Sequence, residues 1–204
     1  VSFTDYFDGA LCINLDRRPD RWRDSQIEFS KIGLGNVTRI RAIDGDTIPT
    51  VADLKPGANG CRLSHAKAFH LAKTKNYQSF LLLEDDVEFS DAFNEMFNFM
   101  SPRIPQDWDI IYLCANPATG NRRQVEDNIF RVQGVYAAHC VIFKNTVYDA
   151  ALEKLMNNFV QADITYGEIQ KQSNAYLLYP HLAYQRSDFS DIEKEVVDYG
   201  LFRV

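Results

Sequence analysis

Three carboxylates, Glu84, Asp85 and Asp86, follow directly on the apolar run Phe80, Leu81, Leu82 and Leu83. Side chains at i and i+2 share a face in extended chain, so Glu84 and Asp86 can both turn toward one hard cation. Mg²⁺ or Mn²⁺ takes such oxygen ligands and keeps positions open for diphosphate oxygens and water. Arg17 and Arg18 stand just before Pro19, where paired guanidinium groups suit phosphate or carboxylate. Asp44, at the end of an early strand-like stretch, can accept hydrogen bonds from a base or ribose, and His65 can contact a diphosphate or a transferred group. Each group also has a plain structural reading: an acidic helix cap, a solvated arginine pair, a turn-forming Asp, a packed histidine.

The elements that must position these groups alternate along the chain. An uninterrupted apolar run such as Phe80 to Leu83 suits a strand buried on both faces, as in a parallel sheet covered by helices. Ligands of open α/β sheets bind beyond the carboxyl ends of the strands, which is where the three carboxylates fall. Residues 9–15 read as the first strand, and Pro19 suits the first turn of a helix to about Ile32 that buries Trp22, Ile27 and Ile32 and stops at Gly33. Residues 37–43 read as a second strand, and 49–59 as a polar loop. A helix then opens at Gly60, which permits close backbone approach, and carries Phe69, His70 and Ala72 inward. Residues 91–100 form an amphipathic helix with Phe93, Met96, Phe97 and Met100 on one face. Residues 108–114 are a buried strand, and 116–127 a polar loop over the site. Strands over 130–135 and 137–143, a helix over 146–159, a helical stretch over 166–172 and a strand from 176 limited by Pro180 complete the pattern. The expectation is an α/β fold with a mostly parallel central sheet flanked by helices, one domain over residues 1–204.

Length and composition set the outer limits. With 204 residues and 46% hydrophobic content the chain can bury one substantial core. A formal charge of −6 argues against nucleic acid as partner, which calls for clustered Lys and Arg. No apolar run reaches membrane-spanning length, so no membrane span is expected. Cys12, Cys61, Cys114 and Cys140 lack C-x-x-C spacing and read as free thiols, which points to a reducing, cytoplasmic setting. The chain opens on Val; as a domain cut from something longer it could equally serve in the secretory-pathway lumen.

Taken in order, I-N-L-D-R-R-P-D-R-W at 13–22, A-I-D-G at 42–45, G-C-R-L-S-H at 60–65 and L-L-E-D-D-V at 82–87 resemble glycosyltransferase family 25. So do W-D-I-I-Y-L at 108–113, A-D-I at 162–164 and S-D-I-E at 190–193. The family holds lipooligosaccharide and collagen galactosyltransferases of bacterial, viral and animal type. The resemblance implies a GT-A fold, a UDP-sugar donor with galactose favoured over glucose, a Mn²⁺-type cation, and inversion at the anomeric carbon. It implies as acceptor a hydroxyl of a glycan or of a hydroxylysine-type protein. Carried over by motif, Glu84 and Asp86 are the outer metal positions, Glu standing where Asp is commonly found, and Asp191 is the late carboxylate that completes the set. Asn14, Leu15, Arg17, Arg18, Asp44, Gly60, Ser64, His65 and Asp85 fall to donor binding. Asp163 is the first candidate for the base and Asp188 the reserve. Two other classes stay open: a catalytically inactive nucleotide-sugar or glycan-binding module of the same fold, and a metal-dependent nucleotidyltransferase. The latter lacks an evident Gly-rich, Lys-bearing phosphate loop.

Overall fold

The computed structural model describes residues 2–51, 53–116, 119–136 and 138–197. Pro117, Ala118 and Ala137, which belong to the predicted loop and strand, lie outside the described residues, as does the predicted domain's end beyond Val197. In chain order the elements are β1 (Gly9–Asn14), α1 (Pro19–Lys31), β2 (Val37–Arg41), α2 (Pro56–Thr74), β3 (Ser79–Glu84), β4 (Val87–Phe89), α3 (Phe93–Met100) and β5 (Ile110–Tyr112). There follow β6 (Asn121–Glu126), β7 (Ile129–Gln133), β8 (Cys140–Lys144), α4 (Tyr148–Asn157), α5 (Ala162–Ile169), β9 (Ala175–Leu178), β10 (Ala183–Gln185), β11 (Asp188–Ser190) and β12 (Glu195–Val197).

Eight strands form one sheet in the order β2-β1-β3-β8-β5-β9-β7-β6. The sheet is mixed, which corrects the expectation of a mostly parallel one: β2, β1 and β3 run parallel, as do β5 and β9, while β8 runs antiparallel to both β3 and β5. The parallel trio matters for the site, because the carboxyl ends of β1, β2 and β3 open on the same edge, with Ile13 beside Glu84 and Asn14 beside Arg41.

Alternation along the strands divides the core into two layers. Leu11, Ile13, Phe80 and Leu82 face α2, α4 and α5, against Phe69, Leu155 and Tyr166. Ala10, Cys12, Leu81 and Leu83 face α1 and α3, against Phe29, Phe93 and Phe97. All four cysteines are free thiols, and among the described residues no helix is long and apolar enough to cross a membrane.

Several predicted boundaries move. Helix α2 begins at Pro56, so Gly60 lies inside the helix and His70 is exposed on it. On α1, Ile27 is 59% exposed, whereas Arg21, Ser25, Glu28 and Phe29 are buried. The predicted loop over 116–127 contains β6, an edge strand paired antiparallel with β7. The helix expected over 166–172 starts earlier, as α5 at Ala162, so Asp163 lies in its first turn.

Candidate donor and metal site

The parallel trio ends in a cavity of about 120 Å³. Its wall carries Asn14, Leu15 and Arg17 after β1, Asp44 after β2, Ser64 and His65 from α2, and Glu84, Asp85 and Asp86 after β3. Asp191 closes the far side, beyond β11. Thus ten of the residues assigned from sequence face one space. Gly60 supports that wall from behind: a Cβ there would lie 2.4 Å from the Ile43 carbonyl oxygen, so only glycine lets α2 lie this close to the end of β2.

Asp85 is the structural centre of the acidic turn. Its carboxylate accepts from Asn14 Nδ2 at 2.6 Å and from Arg21 Nη1 at 2.9 Å, and its backbone carbonyl accepts from Ser25 Oγ at 3.0 Å. The buried polar stripe of α1 is therefore spent on holding this turn. Burial raises the proton affinity of Asp85, and Arg21 and Asn14 oppose the rise.

Asp86 is buried, accepts from Gln185 Nε2 at 3.0 Å, and leaves Oδ1 without a hydrogen-bond partner among the described residues. Burial first, then the negative charge of Glu84, pushes its carboxyl up to about 7. Glu84 is the more open of the two; against the cost of its own burial, the hydrogen bond from His65 holds it below the usual range. An orphaned buried carboxylate oxygen beside further carboxylates is a hard donor set short of positive charge, which fits a divalent cation of the Mg²⁺ or Mn²⁺ class.

Asp191 does not turn toward this pair. It accepts from Arg17 Nη1 and from Arg18 Nη1, the latter at 3.0 Å, while Arg17 Nε also reaches Asp44 at 2.9 Å. Asp188 lies outside the cavity wall and is held by Arg18 Nη2 and Arg21 Nε, both at 3.1 Å. Burial opposes it, yet the Phe189 N–H and these guanidinium groups keep its carboxyl below the ordinary value. Arg18 is thus a strut between Asp20, Asp188 and Asp191.

A second cavity, of about 230 Å³, shares Cys61, Glu84 and Gln185 with the first and extends to Asn116, Tyr136, His139 and Asp163. Burial raises the proton affinity of Asp163 and depresses that of His139 to about 4, so His139 is neutral there. Between the cavities, His65 is fixed by Tyr166 Oη at 2.6 Å on Nδ1 and by Glu84 Oε1 at 3.1 Å on Nε2. Ligand atoms of Cys61, His65 and Glu84 lie within 4.8 Å of one another, so these three can hold a divalent cation.

Sequence reasoning missed Arg21, Cys61, Tyr166 and Gln185. Arg21 had a signal: at i+3 and i+4 from Arg18 and Arg17 it shares their side of the helix start. Cys61 and His65 are likewise i and i+4 on α2. Tyr166 and Gln185 come from distant chain and had none.

The profile of glycosyltransferase family 25 (LPS biosynthesis protein) matches residues 7–184. Human procollagen galactosyltransferase 2 is 29% identical over 129 residues, covering 52% of this chain and 20% of the human protein. A glycosyltransferase 25 family member of Drosophila melanogaster is 28% identical over 126 residues, with 52% and 20% covered. The chain thus spans about a fifth of the length of these curated relatives. In fold, the chain is similar to a glycosyltransferase involved in glycosylation of the major capsid of PBCV-1, with a TM-score of 0.54 at 9% identity, covering 91% of this chain and 96% of that one.

Proposed function

The chain belongs to glycosyltransferase family 25, and from that premise we propose that it is a GT-A-type, metal-dependent inverting hexosyltransferase, one domain over its 204 residues. It moves galactose, or failing that glucose, from a UDP-sugar to a hydroxyl of a glycan or hydroxylated protein. The observation that carries this reading is the single cavity at the ends of β1, β2 and β3, where carboxylates and guanidinium groups meet.

Arg17 and Arg18 face the diphosphate, which competes with Asp191 and Asp188 for their N–H donors. Asn14, Leu15, Asp44, Gly60, Ser64, His65 and Asp85 shape the nucleoside and sugar pocket. Glu84 and Asp86, with Asp191, are the residues that would hold the cation, whose chemistry is to neutralise charge on the departing diphosphate. Asp163 takes the proton of the attacking hydroxyl. It lines the adjoining cavity, and its burial suits a proton acceptor. Asp188 ranks second, because two arginines stabilise its anion.

The test is UDP release from a panel of nucleotide sugars without acceptor, with Mn²⁺ and with chelator. Slow hydrolysis of one UDP-sugar that stops on chelation is the expected result and names the donor. UDP binding with no turnover of any donor, with or without added acceptors, would favour a binding module instead.

A further inference from the structure

The Cys61, His65 and Glu84 cluster has a different chemistry from the carboxylates beside it. Hard Mg²⁺ or Mn²⁺ prefers oxygen, whereas a thiol, an imidazole and one carboxylate are the donors of a borderline or thiophilic ion. Cys61 and His65 are one helical turn apart on α2, so both project from the same face toward the end of β3, where Glu84 stands. The His65 Nε2 to Glu84 Oε1 separation of 3.1 Å is close to the spacing of neighbouring ligands around one small ion. Behind it, Tyr166 Oη bonds Nδ1 at 2.6 Å and fixes the ring, as an outer partner of a metal-bound histidine does. His65 and Tyr166 are fully buried, so the pair is a rigid support. Cys61 and Glu84 line both cavities, which gives an ion a way in and leaves its remaining position facing open space.

We propose that Cys61, His65 and Glu84 form an inhibitory site for Zn²⁺-class ions, distinct from the carboxylate site and in competition with it. Binding releases the thiol proton to solvent and breaks the His65–Glu84 hydrogen bond; the imidazole keeps its one proton by taking the Nδ1–H tautomer, which donates to Tyr166 Oη, and Nε2 and the Glu84 carboxylate each bond the ion. Because Glu84 belongs to both sets, an ion of this class withdraws it from the Mn²⁺ position and lies between the donor cavity and its neighbour. The inhibition rests on the transferase reading above; the binding does not.

The first experiment is therefore a titration of the protein with Co²⁺ alone, followed by absorption. The expected result is a thiolate-to-metal charge-transfer band at one equivalent, displaced by Zn²⁺ but not by Mg²⁺. The band is lost in Cys61→Ser and weakened in Tyr166→Phe, each checked for native circular dichroism. No band in the wild-type protein, or an unchanged band in Cys61→Ser, overturns the site. The second experiment compares Zn²⁺ inhibition of Mn²⁺-dependent UDP release in wild type and Cys61→Ser, each relative to its own uninhibited rate. The Zn²⁺ concentration for half inhibition should rise by about tenfold or more; an unchanged value overturns the inhibitory role. Absence of any UDP release, with the cobalt band intact, would count against the transferase reading and leave the binding site standing.

Discussion

At the scale of single residues, Arg21 has more to lose than any other charge near the cavity. It is 8% exposed and holds Asp85, Asp188 and the Phe189 carbonyl at once. Removing one partner of a buried ion pair leaves the other charge uncompensated, a loss of about 3–5 kcal/mol. Arg21→Ala should therefore lower the urea midpoint by a corresponding amount. Arg21→Lys should recover only a minor part, since one ammonium cannot span the three acceptors. An unchanged midpoint would mean that water replaces the guanidinium and that Asp85 is less dry than its surroundings indicate. Asp163 makes a contrasting case, because among the described residues no guanidinium or ammonium group is hydrogen-bonded to it; its carboxylate accepts from the Ile164 N–H at 2.8 Å. Asp163→Asn should cut turnover by about a hundredfold or more while UDP affinity stays near wild type. Equal losses in both would mark the residue as part of the donor pocket. Residue identities at strand ends were legible in sequence because the apolar-to-acidic boundary at Leu83 and Glu84 is abrupt. Which charges pair was not legible, since Asp188 and Asp191 meet arginines more than 160 residues away along the chain.

At the scale of elements, the site depends on how closely the start of α2 lies against the turn after β2. A Cβ on Gly45 would fall 1.7 Å from the Pro56 carbonyl oxygen, and one on Gly60 would fall 2.6 Å from the Gly45 nitrogen. Both obstacles are backbone, which cannot swing aside as a side chain can. Gly60→Ala should thus push α2 outward and cost about 1–3 kcal/mol by overpacking, seen as a lowered melting temperature. Weaker UDP binding should accompany it, because Ser64 and His65 move with the helix. Retention of both would show that the turn after β2 yields. The element pattern explains where reading from sequence succeeded and failed. Strands β1, β3, β5 and β8 are built on apolar runs and were located within a few residues. Strand β6 is polar but for Val125, because it is the sheet's edge and is largely exposed, so little in it distinguishes a strand from a loop. Strand direction failed for a related reason. The β6–β7 connection is too short for a crossover, and β8 inserts antiparallel between β3 and β5, which no local periodicity reports. On α1, Ile27 was assigned inward from its apolar character, but the inward face is claimed by Arg21, Ser25 and Glu28, which serve backbone and carboxylate groups of the acidic turn and β4.

At the scale of the whole molecule, the described carboxy-terminal segment returns to the amino-terminal edge and is fastened there by charge. Asp188 and Asp191 meet Arg18, Arg21 and Arg17, Glu193 meets Lys55 at 2.5 Å, and Lys194 meets Asp46 at 2.8 Å. Apolar support is slight: Phe189 and Val196 are 41% and 75% exposed, and among the described residues β11 pairs only with β12. The Lys55–Glu193 and Lys194–Asp46 pairs are open to solvent while the arginine pairs are half-buried, so added salt weakens the outer half of this clasp, while the two core layers rest on apolar burial. Raising salt from low to molar concentration should accordingly speed limited proteolysis between Gln185 and Val197 several-fold, without lowering the global unfolding midpoint. On the proposed placing of the diphosphate at Arg17 and Arg18, UDP should act in the same direction in the presence of chelator, by taking donors that hold Asp191. If Asp191 joins the cation as proposed, UDP with Mn²⁺ should protect instead. A cleavage rate indifferent to salt would mean that the segment is held by packing, with Ile192 against Gly57 as the contact to blame. A rate that rises with salt but ignores UDP would separate the clasp from the donor site and return Asp191 to a purely structural role.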